Sequence, residues 1–150
     1  ALRVDKIRLA AIEATLRLYR DPDRLVLRLP TLRLMARPSA DIEATAQRML
    51  PPLAAAVGPQ YDAEVVACAS QIGSGALPQQ TLPSTGVAMR PKAARGSGPA
   101  LSALARAFRE LPVPVIGRIE DQAFVLDLRC LEDEAGFSRN LSHLPREGAV

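Results

Sequence analysis

Helix-like and strand-like segments follow one another along this chain in an order that few folds can accommodate. The sequence predicts two helical regions, a strand, a long loop, a second strand, a helix, two further strands and a final helix. This order favours an α+β domain in which helices cover one face of a small, mainly antiparallel sheet of three or four strands.

The first third of the chain is predicted to be helical. Residues 4–20 are strong helix formers without Gly or Pro, and their apolar side chains fall on two neighbouring faces. Asp21-Pro22 ends this helix, because the residue before a proline disfavours helical backbone. A short helical turn is predicted at 22–28, and residues 31–37 are predicted to form a connector or short turn.

A second long helix is predicted from residue 39 to about residue 57. Ser39 is a good N-cap, and Gly58 stands where helices commonly end on a glycine. Pro51-Pro52 predicts a kink or a break inside this helix, because proline removes a backbone donor and crowds the preceding turn.

The second half of the chain alternates between strand-like and helix-like patterns. Residues 70–84 are rich in Gly, Ser, Gln and Pro and are predicted to be mostly loop, and residues 93–98 a flexible turn. In the last strand, Phe124, Leu126 and Leu128 are predicted to share one face. The predicted strands are 61–68, 87–90, 113–119 and 123–128, with a hairpin at 120–122, and the predicted helices are 99–111 and from about 131 to before Pro145.

Composition excludes several classes of protein. Hydrophobic residues make up 48% of the 150 residues, which excludes intrinsic disorder. The sequence contains no run of 18 apolar residues, the length needed to span a membrane. Two cysteines cannot build a disulfide-stapled scaffold. Because the sequence also shows no secretory signal, we expect a soluble cytoplasmic domain with reduced thiols at Cys68 and Cys130.

Charge is distributed unevenly along the chain. Residues 1–37 contain nine Arg or Lys against four Asp or Glu, a net charge of +5, whereas residues 118–150 carry four Arg against seven acids, a net charge of −3. The basic part could face a polyanion such as RNA or phosphate. With 2 Tyr, 3 Phe and no Trp, the chain lacks the aromatic residues on which single-stranded bases stack.

The residues alone show no complete catalytic constellation. Cys68, Cys130 and the single His143 lack the spacing of metal ligands, so no metal site is predicted. The stretch around Gln71, Gly73, Ser74 and Gly75 could form an anion nest, although it fits neither the dinucleotide nor the P-loop pattern and a plain turn is the alternative.

Several strings of the chain resemble one family, the bacterial selenocysteine synthases or L-seryl-tRNA(Sec) selenium transferases. The resemblance covers almost the whole chain in order, and it weakens at residues 93–98 and after Phe137. The strings are residues 2–6 (LRVDK), 9–19 (LAAIEATLRLY), 29–34 (LPTLRL), 70–75 (SQIGSG) with 77–78 (LP), 82–84 (LPS), 111–119 (LPVPVIGRI) and 126–134 (LDLRCLEDE).

The resemblance implies a fold and an arrangement of domains. Family enzymes contain pyridoxal phosphate and have the aspartate-aminotransferase-like fold, in which a large cofactor domain precedes a small C-terminal domain. This chain resembles the C-terminal portion, with residues 1–28 as a linking helix out of the large domain and residues 29–150 as the small α+β domain. Neither Lys6 nor Lys92 matches the family's Schiff-base lysine, so the chain alone is expected to be inactive.

The resemblance also implies a reaction and partners. Family enzymes convert seryl-tRNA(Sec) to selenocysteinyl-tRNA(Sec), using selenophosphate and a cofactor-bound dehydroalanyl intermediate. They are cytoplasmic homodecamers, a pentamer of dimers, and contribute to selenocysteine and protein biosynthesis. Arg3, in the string LRVDK, matches an active-site arginine of the family and is expected to bind the phosphate group of selenophosphate.

Two other functions compete with this prediction. One is the small domain of a related pyridoxal-phosphate lyase that acts on amino-sugar acids, since such relatives share the fold. The other is an interaction module without chemistry, which the two apolar faces of residues 4–20 would favour through self-association.

Overall fold

The computed structural model describes residues 4–71, 81–93 and 97–145. The chain falls into two compact units, residues 1–37 and residues 38–150. Gly73, Ser74 and Gly75 lie outside the described residues, as does Arg3.

The first unit consists of three helices, α1 (Lys6–Leu18), α2 (Pro22–Arg28) and α3 (Pro30–Met35). The Asp5 side chain caps α1 by accepting a hydrogen bond of 2.9 Å from the backbone N–H of Arg8. The helices predicted at 4–20 and 22–28 are therefore confirmed. The connector predicted at 31–37 is wrong, because Pro30 occupies the first turn of α3, where a missing N–H costs nothing.

The second unit begins with helix α4 (Ser39–Val57), whose N-cap is Pro38 rather than the predicted Ser39. Of the kink or break predicted at Pro51-Pro52, the break is wrong, since α4 runs through both prolines as one helix. Apolar residues at helical spacing, including Ile42, Met49 and Leu53, bury one face of α4, and this burial offsets the backbone hydrogen bonds that the prolines remove.

The sheet has four antiparallel strands in the order β1-β2-β4-β3. Strand β1 (Tyr61–Gln71) pairs along its whole length with β2 (Thr81–Pro91), so both strands extend into the region predicted as loop. The rest of that region, residues 72–80, lies outside the described part of the chain.

The last two strands form the predicted hairpin, but β3 (Arg118–Glu120) is shorter than predicted and β4 is Ala123–Asp127. Asp121 and Gln122 have φ angles of 47° and 58°, which is the left-handed backbone that a two-residue turn of type I′ requires. Residues 113–117 do not join the sheet. The Asn140 side chain instead binds both the N–H and the C=O of Val113, at 3.2 and 2.8 Å.

One apolar core joins α4, helix α5 (Ser97–Arg109) and helix α6 (Glu134–Leu141) to a single face of the sheet. The four residues predicted to point inward from α5 are all buried: Leu101, Leu104, Ala105 and Phe108. Phe108 meets Phe124 of β4 with ring centroids 5.2 Å apart. The predicted α+β class, the antiparallel sheet and the inward face of β4 are confirmed.

Gly86 of β2 lies opposite Asp127 of β4. A Cβ atom at this position would collide with the backbone carbonyl of Leu126. We expect Gly86→Ala to lower the free energy of unfolding by about 1–3 kcal/mol, because the collision is with backbone that cannot rotate away. Urea unfolding followed by circular dichroism measures the change.

Gly98 provides the matched control, because a Cβ there meets nothing within 4 Å and the residue lies in α5. Gly98→Ala should leave stability unchanged or raise it by up to about 1 kcal/mol. Equal stability of the Gly86→Ala variant and the parent would contradict the close approach of β2 and β4.

Candidate functional site

A cluster of polar side chains lies on the face of the sheet opposite the helices. The strand register places Ser70 and Ser84 on this face together with Asp127, which is directly opposite Gly86. Arg129 follows β4 and is buried beside them. We call Ser70, Ser84, Asp127 and Arg129 the Asp127 cluster.

The Asp127 carboxylate is the centre of the cluster. Its Oδ1 accepts a hydrogen bond of 2.6 Å from the Ser84 hydroxyl and one of 3.0 Å from the backbone N–H of Arg129. Its Oδ2 accepts a hydrogen bond from the Ser70 hydroxyl. Three donors therefore satisfy the carboxylate, which stabilises a charge in this half-buried position.

The Arg129 side chain links the cluster to the start of β2. Its Nε donates to the Ser70 hydroxyl at 3.1 Å, and one of its terminal nitrogens donates to the Pro83 carbonyl at 2.5 Å. Arg129 is 6% exposed. The Arg129 guanidinium therefore connects β1 and β2 to the residues after β4, and it has little exposed surface left to bind a ligand.

Cys68 and Arg118 lie next to the Asp127 cluster. Burial raises the pKa of the Cys68 thiol, and the Asp127 carboxylate raises it further, while Arg118 partly opposes this. The pKa of Arg118 is raised in turn, chiefly by its hydrogen bond to Glu120, with Nε and Oε2 2.8 Å apart. A thiol with a raised pKa is mostly protonated near neutral pH, which does not suit a nucleophile.

The cluster brings together three of the strings that carry the family resemblance. Ser70 belongs to the string at 70–75, Ser84 to the string at 82–84, and Asp127 and Arg129 to the string at 126–134. None of these four residues was predicted as a site from the sequence. The available signal was that the polar residues Asp127 and Arg129 alternate with apolar ones along the chain. The hydrogen-bond partners, however, are up to 59 residues apart in the sequence.

The predicted anion-binding residues are not brought into a site by the described part of the chain. Gln71 is the exposed last residue of β1, opposite Thr81. Gly73, Ser74 and Gly75 lie outside the described residues, and so does Arg3. Their predicted roles therefore stay predictions.

The remaining titratable candidates have structural contacts. Asp133 caps α6 by accepting from the backbone N–H of Gly136 at 2.8 Å, and Glu134 binds Arg48 through two hydrogen bonds of 2.6 and 2.9 Å. Cys130 and His143 are exposed. Within the described ranges, no three His, Cys, Asp or Glu side chains lie close enough to hold a metal ion.

The two lysines of the chain do not offer a place for pyridoxal phosphate. Lys6 is exposed at the start of α1, and the Lys92 ammonium, also exposed, pairs with Asp62 at 3.4 Å. A Schiff-base lysine needs a site that excludes water, and both lysines are exposed. The described residues therefore do not fit the cofactor.

Within the described residues, no helix has both the length and the apolar character to cross a membrane.

Comparison with known proteins points to one family. A family model described as L-seryl-tRNA selenium transferase matches residues 1–132. Curated relatives named L-seryl-tRNA(Sec) selenium transferase are 62% identical over 144 residues in Methylocella silvestris, 55% over 143 residues in Rhizobium meliloti and 54% over 142 residues in Yersinia pestis. These matches cover 95–96% of this chain but 30% of each relative.

Removal of the Ser84 hydroxyl tests the Asp127 cluster. We expect Ser84→Ala to lower the free energy of unfolding by about 1.5–3 kcal/mol, because a partly buried carboxylate loses a donor. Ser102→Ala, at an exposed position of α5, should change it by less than about 0.5 kcal/mol. Equal effects of the two substitutions in urea unfolding would contradict the assigned role of Ser84.

The two cysteines should differ in reactivity. At pH 7–8 in the folded chain, iodoacetamide should modify exposed Cys130 before Cys68, and the Cys68 rate should reach half its maximum at a pH above that of an ordinary thiol. Mass spectrometry of tryptic peptides measures both rates, and in denaturant they should converge. Faster modification of Cys68 at pH 7 would contradict the raised pKa.

The same shift gives a sign for the pH dependence of stability. Because the folded chain holds the Cys68 proton more tightly than the unfolded chain, the site stabilises the fold below the thiol's ordinary pKa. This contribution is lost as the pH rises through the raised pKa, so Cys68→Ser should flatten the decline in stability at alkaline pH.

Proposed function

The chain belongs to the L-seryl-tRNA selenium transferase family, and from this membership we propose that it is the C-terminal portion of an enzyme that converts seryl-tRNA(Sec) to selenocysteinyl-tRNA(Sec). The observation that carries the proposal is 62% identity over 96% of the chain to a relative of that name. At this level of identity along nearly the whole chain, the two proteins have the same local fold and play the same part in their enzymes.

The proposed division of labour places the cofactor chemistry outside this chain. The chain spans about 30% of the length of the relatives it matches. Pyridoxal phosphate, where bound, supplies an electron sink for removal of the seryl hydroxyl. Since Lys6 and Lys92 are both exposed, the lysine that holds the cofactor belongs to the remaining part of such an enzyme.

The proposed role of this chain is to complete the enzyme. Residues 1–28 are the linking helix and residues 29–150 the small domain of an aspartate-aminotransferase-like fold. Arg3 binds the phosphate group of selenophosphate, because a guanidinium pairs with two phosphate oxygens at once. The assembly is a cytoplasmic homo-oligomer, a decamer in the family, that contributes to selenocysteine and protein biosynthesis.

A chimaeric enzyme tests the proposal. Replacing the matched region of the Methylocella silvestris relative with this chain should leave an enzyme that transfers selenium to seryl-tRNA(Sec), measured as radioactive selenium on the tRNA. Loss of transfer in a chimaera that is folded and binds pyridoxal phosphate would contradict the proposed function. Activity towards an amino-sugar acid instead of the tRNA would favour the lyase alternative.

Within that chimaera, Arg3→Ala should raise the KM for selenophosphate by about tenfold or more, because loss of a charge-assisted hydrogen bond costs about 1.5–3 kcal/mol. Arg20→Ala, an exposed arginine of the same unit, serves as the control and should leave the KM unchanged. An unchanged KM in both variants would remove Arg3 from the site.

The 150-residue chain by itself should not capture the cofactor. After incubation with pyridoxal phosphate and reduction with borohydride, we expect no stoichiometric adduct on Lys6 or Lys92, because both lysines are exposed and neither lies in an enclosed site. Intact-mass measurement provides the test, and the chimaera is the positive control. One adduct per chain on either lysine would contradict the proposed division of labour.

A further inference from the structure

The outer edge of β1 is a long strand edge, and residues 65–70 of this strand carry neither charge nor proline. Strand β1 is at one end of the sheet, and all eleven of its residues pair with β2 on the other side. No strand among the described residues pairs with its outer edge. A strand edge of this length exposes a row of backbone donors and acceptors that can pair with another chain.

The two edges of the sheet differ in the features that prevent pairing. At the opposite edge, β3 has three residues, follows Pro112 and Pro114, and carries the Arg118–Glu120 ion pair. Strand β1 contains no proline, lysine or arginine, and its two acids, Asp62 and Glu64, are both near one end. Short length, proline and charge are the usual protections of an edge, and residues 65–70 of β1 have none of them.

Hydrogen bonds show which backbone groups point outward. The N–H of Lys92 donates to the carbonyl of Gln60 at 2.9 Å. Gln60 and Lys92 lie next to the opposite residues Tyr61 and Pro91, so they form a hydrogen-bonded pair of the same ladder. Residues with even numbers in β1 therefore direct their backbone groups towards β2, since the hydrogen-bonded pairs of an antiparallel ladder alternate. Val65, Ala67 and Ala69 direct theirs towards the free edge.

The β2–β4 pairing agrees with this assignment. The N–H of Leu128 donates to the carbonyl of Thr85 at 3.2 Å, so the odd-numbered residues of β2 bond to β4 and its even-numbered residues bond to β1. The free edge of β1 is therefore defined residue by residue.

We infer that β1 is an interface at which two copies of this chain pair antiparallel, with the two-fold axis at Val66. This register pairs every residue of one β1 with a residue of the other, Tyr61 with Gln71, Ala63 with Ala69 and Val65 with Ala67. The last two pairs consist of outward-directed residues on both strands, as a hydrogen-bonded pair requires.

Charge favours a second copy in this orientation. Asp62 falls opposite Ser70 and Glu64 opposite Cys68, so neither acid meets an acid across the axis. A parallel pairing would place each acid beside its own counterpart, which is destabilising. Both acids also keep their partners on β2, because Asp62 pairs with Lys92 at 3.4 Å and Glu64 with Arg90 at 3.2 Å. The interface goes beyond the proposed enzymatic role and does not depend on it.

A proline at position 67 tests pairing at the edge of β1 without disturbing the pairing of β1 with β2. Ala67→Pro removes an N–H that points outward, a substitution that edge strands tolerate, whereas Ala67→Thr keeps the N–H. In sedimentation equilibrium, the parent chain and Ala67→Thr should dimerise and Ala67→Pro should dimerise at least tenfold more weakly. A monomeric parent at about 100 µM, or a dimer that Ala67→Pro leaves intact, overturns the interface. The second result would mean that association uses another surface, such as the apolar faces of α1.

Cross-linking decides the register even if the proline variant does not fold. In a Cys68→Ser, Cys130→Ser background, Val66→Cys should form an interchain disulfide under mild oxidation, because non-hydrogen-bonded pairs place Cα atoms about 4.5 Å apart. Asp62→Cys on the same strand is the control, since its copies would lie about 26 Å apart. Absence of the Val66→Cys link, or equal linking in both variants, overturns the pairing.

Discussion

The close packing of β2 against β4 is the constraint on which the second unit depends. Val87 and Met89 of β2 direct fully buried side chains towards α4 and α5, and Gly86 allows the β4 backbone to approach. Because the helices pack on one face of these central strands, a shift of β4 would disturb the helical layer and the hairpin to β3 together.

The opposite face of the same strands carries a small buried apolar cluster, formed by Ala88, Ala123 and Val125, beside the polar Asp127 cluster. The Asp127 carboxylate receives donors from β1, from β2 and from the residues after β4, so one charge ties three segments together. A partly buried polar cluster lowers stability if some of its hydrogen bonds are missing. Because all of them form only in one strand register, the cluster favours that register. Its role here is structural.

The first unit has a different physical character. None of the described residues of its three helices is buried, and its apolar side chains, such as Ile7 at 82% exposure, alternate with arginines. A helix with exposed apolar faces and an excess of positive charge offers a surface on which a partner can pack.

Local patterns were enough to predict the elements whose periodicity is strong. The inward residues of α5 and the alternation of β4 followed from helical and strand spacing, and the family followed from strings spread along the chain. Two predictions that rested on proline were wrong, the connector at α3 and the break within α4, because the effect of proline depends on whether a helix start or a core compensates for the missing N–H.

The sequence by itself determined the α+β class, the faces of the strongest helices and strands, and the family. Only the tertiary structure decided where β1 and β2 end, and it alone assembled Ser70, Ser84, Asp127 and Arg129 into one cluster. Helical and strand periodicity depends on residues that are close in the sequence, whereas strand pairing joins residues tens of positions apart. The free energy of a long-range contact depends on every element packed around it, so no local pattern can specify it.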